Sequence, residues 1–229
     1  MTRNMRRLAP LAGVVYVGLM VALLSLPSSP DAKASGQKVV SFLSAHHTSV
    51  HVADFVLAYA AIALVVYFAS LATYLRRRGA QILSTTTIGG AVMAAAGLCV
   101  AAGINESEVD QYKRLSPTAA QTLNLLNSDL FAILLFAGLC LATTSAGISM
   151  LRTASFPKAV GIITIVIGAG FGTGFAAWIA FMASGLLTLY VAGYLFRQYS
   201  RPEQITMPDV PAARVTTDVP VTVAETTSG

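Results

Sequence analysis

The chain has 229 residues, of which 55% are hydrophobic and only 11% are charged, and its formal net charge is +5. Soluble domains contain about a quarter charged residues, so this composition, with a mean hydropathy of +0.68, excludes an ordinary water-soluble fold. The basic residues lie in short clusters at the ends of apolar blocks, a placement typical of membrane topology rather than nucleic-acid binding. We therefore expect an all-α, polytopic transmembrane helical bundle, surrounded by membrane lipids and without a nucleic-acid partner.

The first apolar block covers residues 8–26 and follows three arginines. It is long enough to cross a hydrocarbon core of about 30 Å. Prolines and small residues within 27–34 also resemble a cleavage region, although the block exceeds the roughly 7 to 15 apolar residues of a signal peptide. The sequence leaves two alternatives open: six spans, or five if the N-terminal segment is cleaved.

Three further blocks cover residues 55–75, 84–104 and 130–151, and a fourth apolar stretch continues from 159 to 196. At 1.5 Å per residue this last stretch would reach about 57 Å, nearly twice the hydrocarbon thickness, so it must fold back. Glycines at 170, 172 and 174 predict the bend, which gives spans at 159–174 and 176–196. Because the first arm is short, a re-entrant hairpin remains an alternative.

Two loops precede the second and fourth spans, and each is predicted to contain helix. An apolar stripe of Val39, Val40, Phe42 and Leu43 predicts a short interfacial helix on the membrane surface. Ser116 and Pro117 form an N-cap and first-turn pair. The helix that they begin is expected to project beyond the bilayer before it enters the fourth span.

The distribution of Lys and Arg predicts the orientation. With both termini in the cytoplasm, the outer side carries four basic residues and the inner side eleven, as expected for cytoplasmic segments. The outer set is Lys33, Lys38, Lys113 and Arg114, and the inner set is Arg3, Arg6, Arg7, Arg76, Arg77, Arg78, Arg152, Lys158, Arg197, Arg201 and Arg214. The transmembrane domain is thus predicted to cover 1–201, followed by a disordered cytoplasmic tail at 202–229, which is rich in Pro, Val and Thr and lacks aromatic residues.

The interior of the apolar blocks offers little chemistry. Blocks 55–75, 84–104, 130–151 and 159–196 contain no Asp, Glu, Lys, Arg or His, which disfavours a proton-coupled mechanism at mid-membrane. Cys99 and Cys140 fit no zinc spacing and are interpreted as buried thiols. Small residues recur in the third and fourth blocks, including Gly90 and Gly138. They predict close helix packing within the chain or, alternatively, contacts in a homo-oligomer.

The most suggestive polar pattern is His47, His51 and Asp54, which share one helical face if the second helix begins early. Imidazoles with a carboxylate can bind zinc or another divalent metal, and an acid from the other outer loop would complete the coordination. The acids considered for this role are Glu106, Glu108, Asp110 and Asp129. In the alternative interpretation the histidines are interfacial and the aspartates stabilise helix N-termini.

A resemblance adds a cellular setting. Residues 35–40 (Ser-Gly-Gln-Lys-Val-Val), followed by His46 and His47 and an apolar block that ends at Arg76–Arg78, resemble small multi-pass membrane proteins of unknown function found widely in actinobacteria. The resemblance implies a bacterial plasma membrane and no activity. Three functional hypotheses remain: a non-enzymatic envelope-associated or interaction component, a passive transporter or channel for a small or lipophilic solute, and a metal-dependent enzyme at the outer interface.

Overall fold

The computed structural model describes residues 8–200, apart from the side chains of residues 174 and 175. Within that range the chain is helical and has no strand, which confirms the all-α bundle. After a 3-10 turn at Ala9–Leu11, the helices are α1 (Ala12–Leu24), α2 (Gly36–Arg77), α3 (Gln81–Gln111), α4 (Pro117–Thr153), α5 (Lys158–Phe171) and α6 (Gly174–Ser200). The predicted tail and the three N-terminal arginines lie outside the described residues.

The helices differ in how far they can reach across a bilayer. Four are long and apolar enough to cross it, namely α2, α3, α4 and residues Ala176–Ser200 of α6. The apolar helices Ala9–Leu24 and Lys158–Phe171 are shorter than the roughly 20 residues of a full span. The predicted bend in the last apolar stretch is confirmed, because α5 ends at Phe171 and α6 begins at Gly174.

The surface at the level of the apolar segments is itself apolar. Large side chains that project outward include Phe55, Ile62 and Val66 on α2, while Leu64 and Leu71 on the same helix are almost completely buried. An outward apolar band of this kind is suited to lipid rather than water. The structure thus has the properties of an integral membrane protein.

Small residues bring α3 and α4 into backbone contact. A Cβ atom added to Gly90 would lie 2.5 Å from the amide nitrogen of Ala142, and one added to Gly138 would lie 2.3 Å from that of Ala94. The neighbouring Gly89 has open space around it. The small-residue pattern therefore serves packing within the chain at these positions, as is usual for membrane helices.

The two cysteines are both free, but their surroundings differ. Cys140 is partly buried, whereas Cys99 lies on the exposed surface of α3. The prediction of two buried thiols is therefore wrong for Cys99. An apolar block indicates the depth of a residue in the membrane and does not indicate which helical face points toward lipid.

At the end of the bundle opposite Arg76–Arg78, the helices α2, α3 and α4 continue past their apolar segments and pack against one another. At 42 residues, α2 is about 63 Å long, roughly twice the hydrocarbon thickness. Val39 and Leu43 from its first part are buried with Val50, Val109 and Ala120. We call the region formed by residues 31–54, 105–111 and 117–129 the outer cap, after the side of the membrane on which the sequence predicts it to lie.

The start of α2 differs from the predicted interfacial helix. It is continuous with the rest of α2 through a non-helical backbone at His46 (φ −125°, ψ 18°). Val39 and Leu43 of its apolar stripe are buried against α3 and α4, and Val40 and Phe42 are partly buried there, because those helices extend far enough to cover the stripe. The predicted N-cap of α4 is confirmed, since the Ser116 hydroxyl accepts a hydrogen bond from the amide of Ala119 at 3.3 Å.

Candidate functional site

The outer cap contains a cluster of polar side chains from three helices. The cluster comprises His51 and Asp54 of α2, Asn105, Glu106, Glu108 and Asp110 of α3, and Asn127 of α4. All seven residues lie outside the apolar segments: Asp54 precedes 55–75, and Glu108 is four residues, or about 6 Å, beyond 84–104. We call this group the polar cluster.

An imidazole and two carboxylates meet on the accessible side of the polar cluster. The Nδ1 atom of His51 lies 2.8 Å from Oε2 of Glu106, and the two side chains are 34% and 40% exposed. Asp110 is one helical turn beyond Glu106, so both acids are on one face of α3. One ligand atom from each of His51, Glu106 and Asp110 lies within 4.8 Å of the other two.

A chain of amide hydrogen bonds fixes the inner side of the polar cluster. Asn127 on α4 donates from Nδ2 to Oδ1 of Asn105 at 2.6 Å. Asn105 in turn donates from its own Nδ2 to Oδ1 of Asp54 at 3.0 Å. These two bonds link the three long helices just beyond the ends of their apolar segments.

Three buried acceptor atoms in the polar cluster have no hydrogen-bond partner. They are Oδ2 of Asp54, Oε1 of Glu108 and Oδ1 of Asn127. Asp54 and Glu108 are only 5% and 3% exposed, and a buried carboxylate oxygen that accepts no hydrogen bond is costly. The cluster therefore has more acceptors than its own donors can satisfy.

This burial changes the acidity of both carboxyl groups. The pKa of Asp54 is raised to about 7, chiefly by burial and also by the charge of Glu106, although the hydrogen bond from Asn105 and the charge of His51 act in the opposite direction. Burial likewise raises the pKa of Glu108 to about 7, with a further contribution from the charge of Asp54. Desolvation disfavours the charged form in each case.

The structure separates the residues that the sequence grouped as a metal site. His51 and Asp54 both face α3, where they contact Glu106 and Asn105. His47 is exposed, and its ring stacks on that of Tyr112 with centroids 6.2 Å apart. Within the described range, three ligand atoms lie close enough together to hold a metal ion, and they belong to His51, Glu106 and Asp110. His51 is the only member of the predicted trio among them. Metal binding by His47, His51 and Asp54 stays a prediction.

The four candidate acids from the second predicted loop differ in position and in burial. Glu106 and Asp110 lie beside His51, Glu108 is buried, and Asp129 is exposed. Sequence reasoning missed Asn105 and Asn127, which connect Asp54 to α4. The sequence feature that could have indicated them is an amide side chain close to the end of an apolar block.

Two cavities lie at the level of the apolar segments. A groove of about 260 Å³ between α1 and α6 is lined by apolar side chains such as Met20 and Phe181. A cavity of about 20 Å³ lies inside the bundle between α2, α4, α5 and α6. That volume accommodates about one water molecule.

No protein-family model matches the chain, and no curated protein or solved structure is significantly similar to it.

Proposed function

We propose that this chain is a non-enzymatic protein of the bacterial plasma membrane that acts as an envelope-associated or interaction component through its outer cap. The observation that carries the proposal is the length of the helices beyond their apolar segments. A span needs about 20 residues, yet α2 has 42 and α4 has 37. The additional residues form a packed region with its own apolar centre, which membrane crossing does not require.

The proposed topology has six spans, of which the short helices α1 and α5 form two, and both termini are in the cytoplasm. The ends of α2, α4 and α6 meet, since Ser155 accepts a hydrogen bond from Tyr194 at 3.2 Å and Tyr74 lies against Phe156 with ring centroids 5.7 Å apart. This contact gathers the basic clusters at 76–78, 152, 158 and 197 at one end of the bundle. Positive charge concentrated at one end supports a cytoplasmic location for that end.

The interior of the bundle favours an interaction role over passive transport. The cavity between α2, α4, α5 and α6 has room for about one water, whereas a solute pathway needs a wider polar lumen. Tyr67, Leu71 and Val191 line it, together with hydroxyl side chains, several of which bond to their own helix. Thr143 and Thr164, for example, donate to the carbonyls of Leu139 and Val160.

Reporter fusions test the topology. Fusions after Gly79, Phe156 and Tyr199 are expected to report the cytoplasm, because each follows a helix end in or beside the basic end of the bundle. Fusions at Lys33 and Lys113 should report the outside. An external signal after Tyr199 would contradict the paired arrangement of α5 and α6.

Photo-crosslinking in intact cells tests the interaction role. Leu125 is 46% exposed on the outer part of α4, and Val166 is 64% exposed on the apolar surface of α5. A photoreactive amino acid at Leu125 should give a discrete protein adduct, which mass spectrometry then identifies. The same group at Val166 is the matched control and should give lipid adducts. If exposed positions of the outer cap yield no protein adduct, the interaction role is overturned.

A further inference from the structure

We propose that His51, Glu106 and Asp110 form a binding site for a divalent transition cation of the zinc type at the outer ends of α2 and α3. This binding activity goes beyond the interaction role, which does not require a metal. It also differs from the trio that the sequence suggested, because it uses His51 with two acids from α3 in place of His47 and Asp54.

The spacing of the three ligand atoms suits a small cation. In a tetrahedral zinc site with bonds of about 2.0–2.1 Å, neighbouring ligand atoms are about 3.4 Å apart. The His51 and Glu106 atoms are 2.8 Å apart, and all three ligand atoms lie within 4.8 Å of one another. Side-chain shifts of about 1 Å would therefore complete the coordination, without movement of the helices.

The local charge balance independently points to a cation. Four carboxyl groups occur in the polar cluster, on Asp54, Glu106, Glu108 and Asp110. In the part of the chain that the structure describes, the ion pair between His51 and Glu106 is the only one, so no Lys or Arg is paired with these acids. Asp54 and Glu108 are more than nine-tenths buried, and each has an oxygen with no donor. A bound divalent ion would offset the negative charge of those carboxyl groups that are ionised, and it would favour the charged forms of Asp54 and Glu108, which burial otherwise disfavours.

The donor set indicates which cations are preferred. One imidazole nitrogen with two carboxylate oxygens suits zinc and other first-row transition ions, whereas Mg²⁺ and Ca²⁺ prefer sites built from oxygen alone. The three side chains are partly or fully exposed, so an ion can enter from the outer aqueous phase. A tetrahedral ion with three protein ligands would keep one position for water.

Direct binding measurements on the full chain test the site. The protein is purified in detergent without chelator, stripped, and titrated with Zn²⁺ by calorimetry, with the bound metal counted by elemental analysis. We expect one equivalent of Zn²⁺ on the wild type and weaker binding of Mg²⁺ and Ca²⁺. His51→Ala, Glu106→Gln and Asp110→Asn should each lower the zinc affinity by at least roughly tenfold.

Matched control variants separate this site from the alternatives. His47→Ala changes a histidine one turn away on the same helix, and Asp129→Asn changes an exposed acid on α4, so neither should alter zinc affinity. Asp110→Asn is the decisive variant if others fold poorly, because Asp110 is exposed and its loss should leave the elution profile unchanged. Titration with Co²⁺ adds a second readout, since ligation by nitrogen and oxygen gives visible absorption bands that should disappear in His51→Ala.

Three results would overturn the proposal. One is a wild type that binds no zinc under these conditions. Another is zinc affinity unchanged in His51→Ala, Glu106→Gln and Asp110→Asn, which would indicate an adventitious surface ion only. The third is a loss of affinity in His47→Ala and Asp54→Asn with none in Glu106→Gln. Because the measurements use purified protein, they do not depend on the cellular topology or on a protein partner, and a failure here leaves the interaction role to its own tests.

Discussion

The contact between α3 and α4 allows a quantitative test of the fold. In Gly138→Ala, the new Cβ atom would lie 2.3 Å from the amide nitrogen of Ala94 and 2.7 Å from the carbonyl oxygen of Gly90. Both atoms belong to the backbone, so no rotamer change relieves the clash. Ordinary contact begins near 3.4 Å, and α3 and α4 must therefore separate locally by roughly 1 Å. Overpacking of this kind costs about 1–3 kcal/mol.

Gly89→Ala is the matched control for this substitution. Gly89 is also in the interior of a long helix, but nothing lies within 4 Å of its added Cβ atom. Both variants gain the helix propensity of Ala over Gly, about 1 kcal/mol. The difference between their free energies of unfolding therefore isolates the packing cost, and Gly138→Ala should be less stable than Gly89→Ala by about 1–3 kcal/mol.

Unfolding by SDS in mixed micelles measures this difference. Trp178 is the single tryptophan, and its ring packs edge-on against Phe136 of α4 with centroids 5.6 Å apart. Its fluorescence, together with far-ultraviolet circular dichroism, should report the transition. Equal midpoints for Gly138→Ala and Gly89→Ala would refute the close approach of α3 and α4.

Two further predictions concern the thiols and the buried acid of the polar cluster. Cys99 and Cys140 should show equal electrophoretic mobility with and without reductant, and a lipid-soluble maleimide should label the exposed Cys99 faster than Cys140; a crosslink between them would contradict the packing. In the folded protein the pKa of Asp54 is about 7, above its usual value of 3.8. Protonated Asp54 therefore contributes stability to the folded state, and this contribution is complete below pH 4 and is lost as pH rises through 7. Asp54→Asn should therefore reduce the fall in melting temperature between pH 5 and pH 8 without abolishing it, because Glu108, whose pKa is also raised to about 7, still titrates in that range. An unchanged profile would show that Asp54 is not buried as described.

The bundle architecture could be predicted well because its determinants are local. The bend between α5 and α6 follows from an apolar stretch too long for one span and from the glycines at its centre. The N-cap at Ser116 follows from a hydroxyl side chain directly before a proline. In each case the residues that determine the feature are neighbours in the chain, and the prediction is confirmed.

The lateral surroundings of each residue could not be predicted in the same way. The stripe of Val39 and Leu43 has the period of a helix with one apolar face, and that period is the same whether lipid or protein covers the face. Its burial by Val109 and Ala120 depends on how far α3 and α4 project outward. The same ambiguity explains why the exposure of Cys99 could not be predicted from its position in an apolar block.

The polar cluster depends on contacts between different helices, which the sequence does not predict. The sequence alone is enough to predict an all-α membrane bundle with histidines and acids near one end of its apolar segments, and helical spacing places His51 and Asp54 near one face of α2. The packing of α2 against α3 is what places His51 beside Glu106, 55 positions away, and Asp54 beside Asn105. The physical reason is that helical periodicity determines neighbours along one helix. The relative height and rotation of two packed helices depend on the fit of their whole contact surfaces.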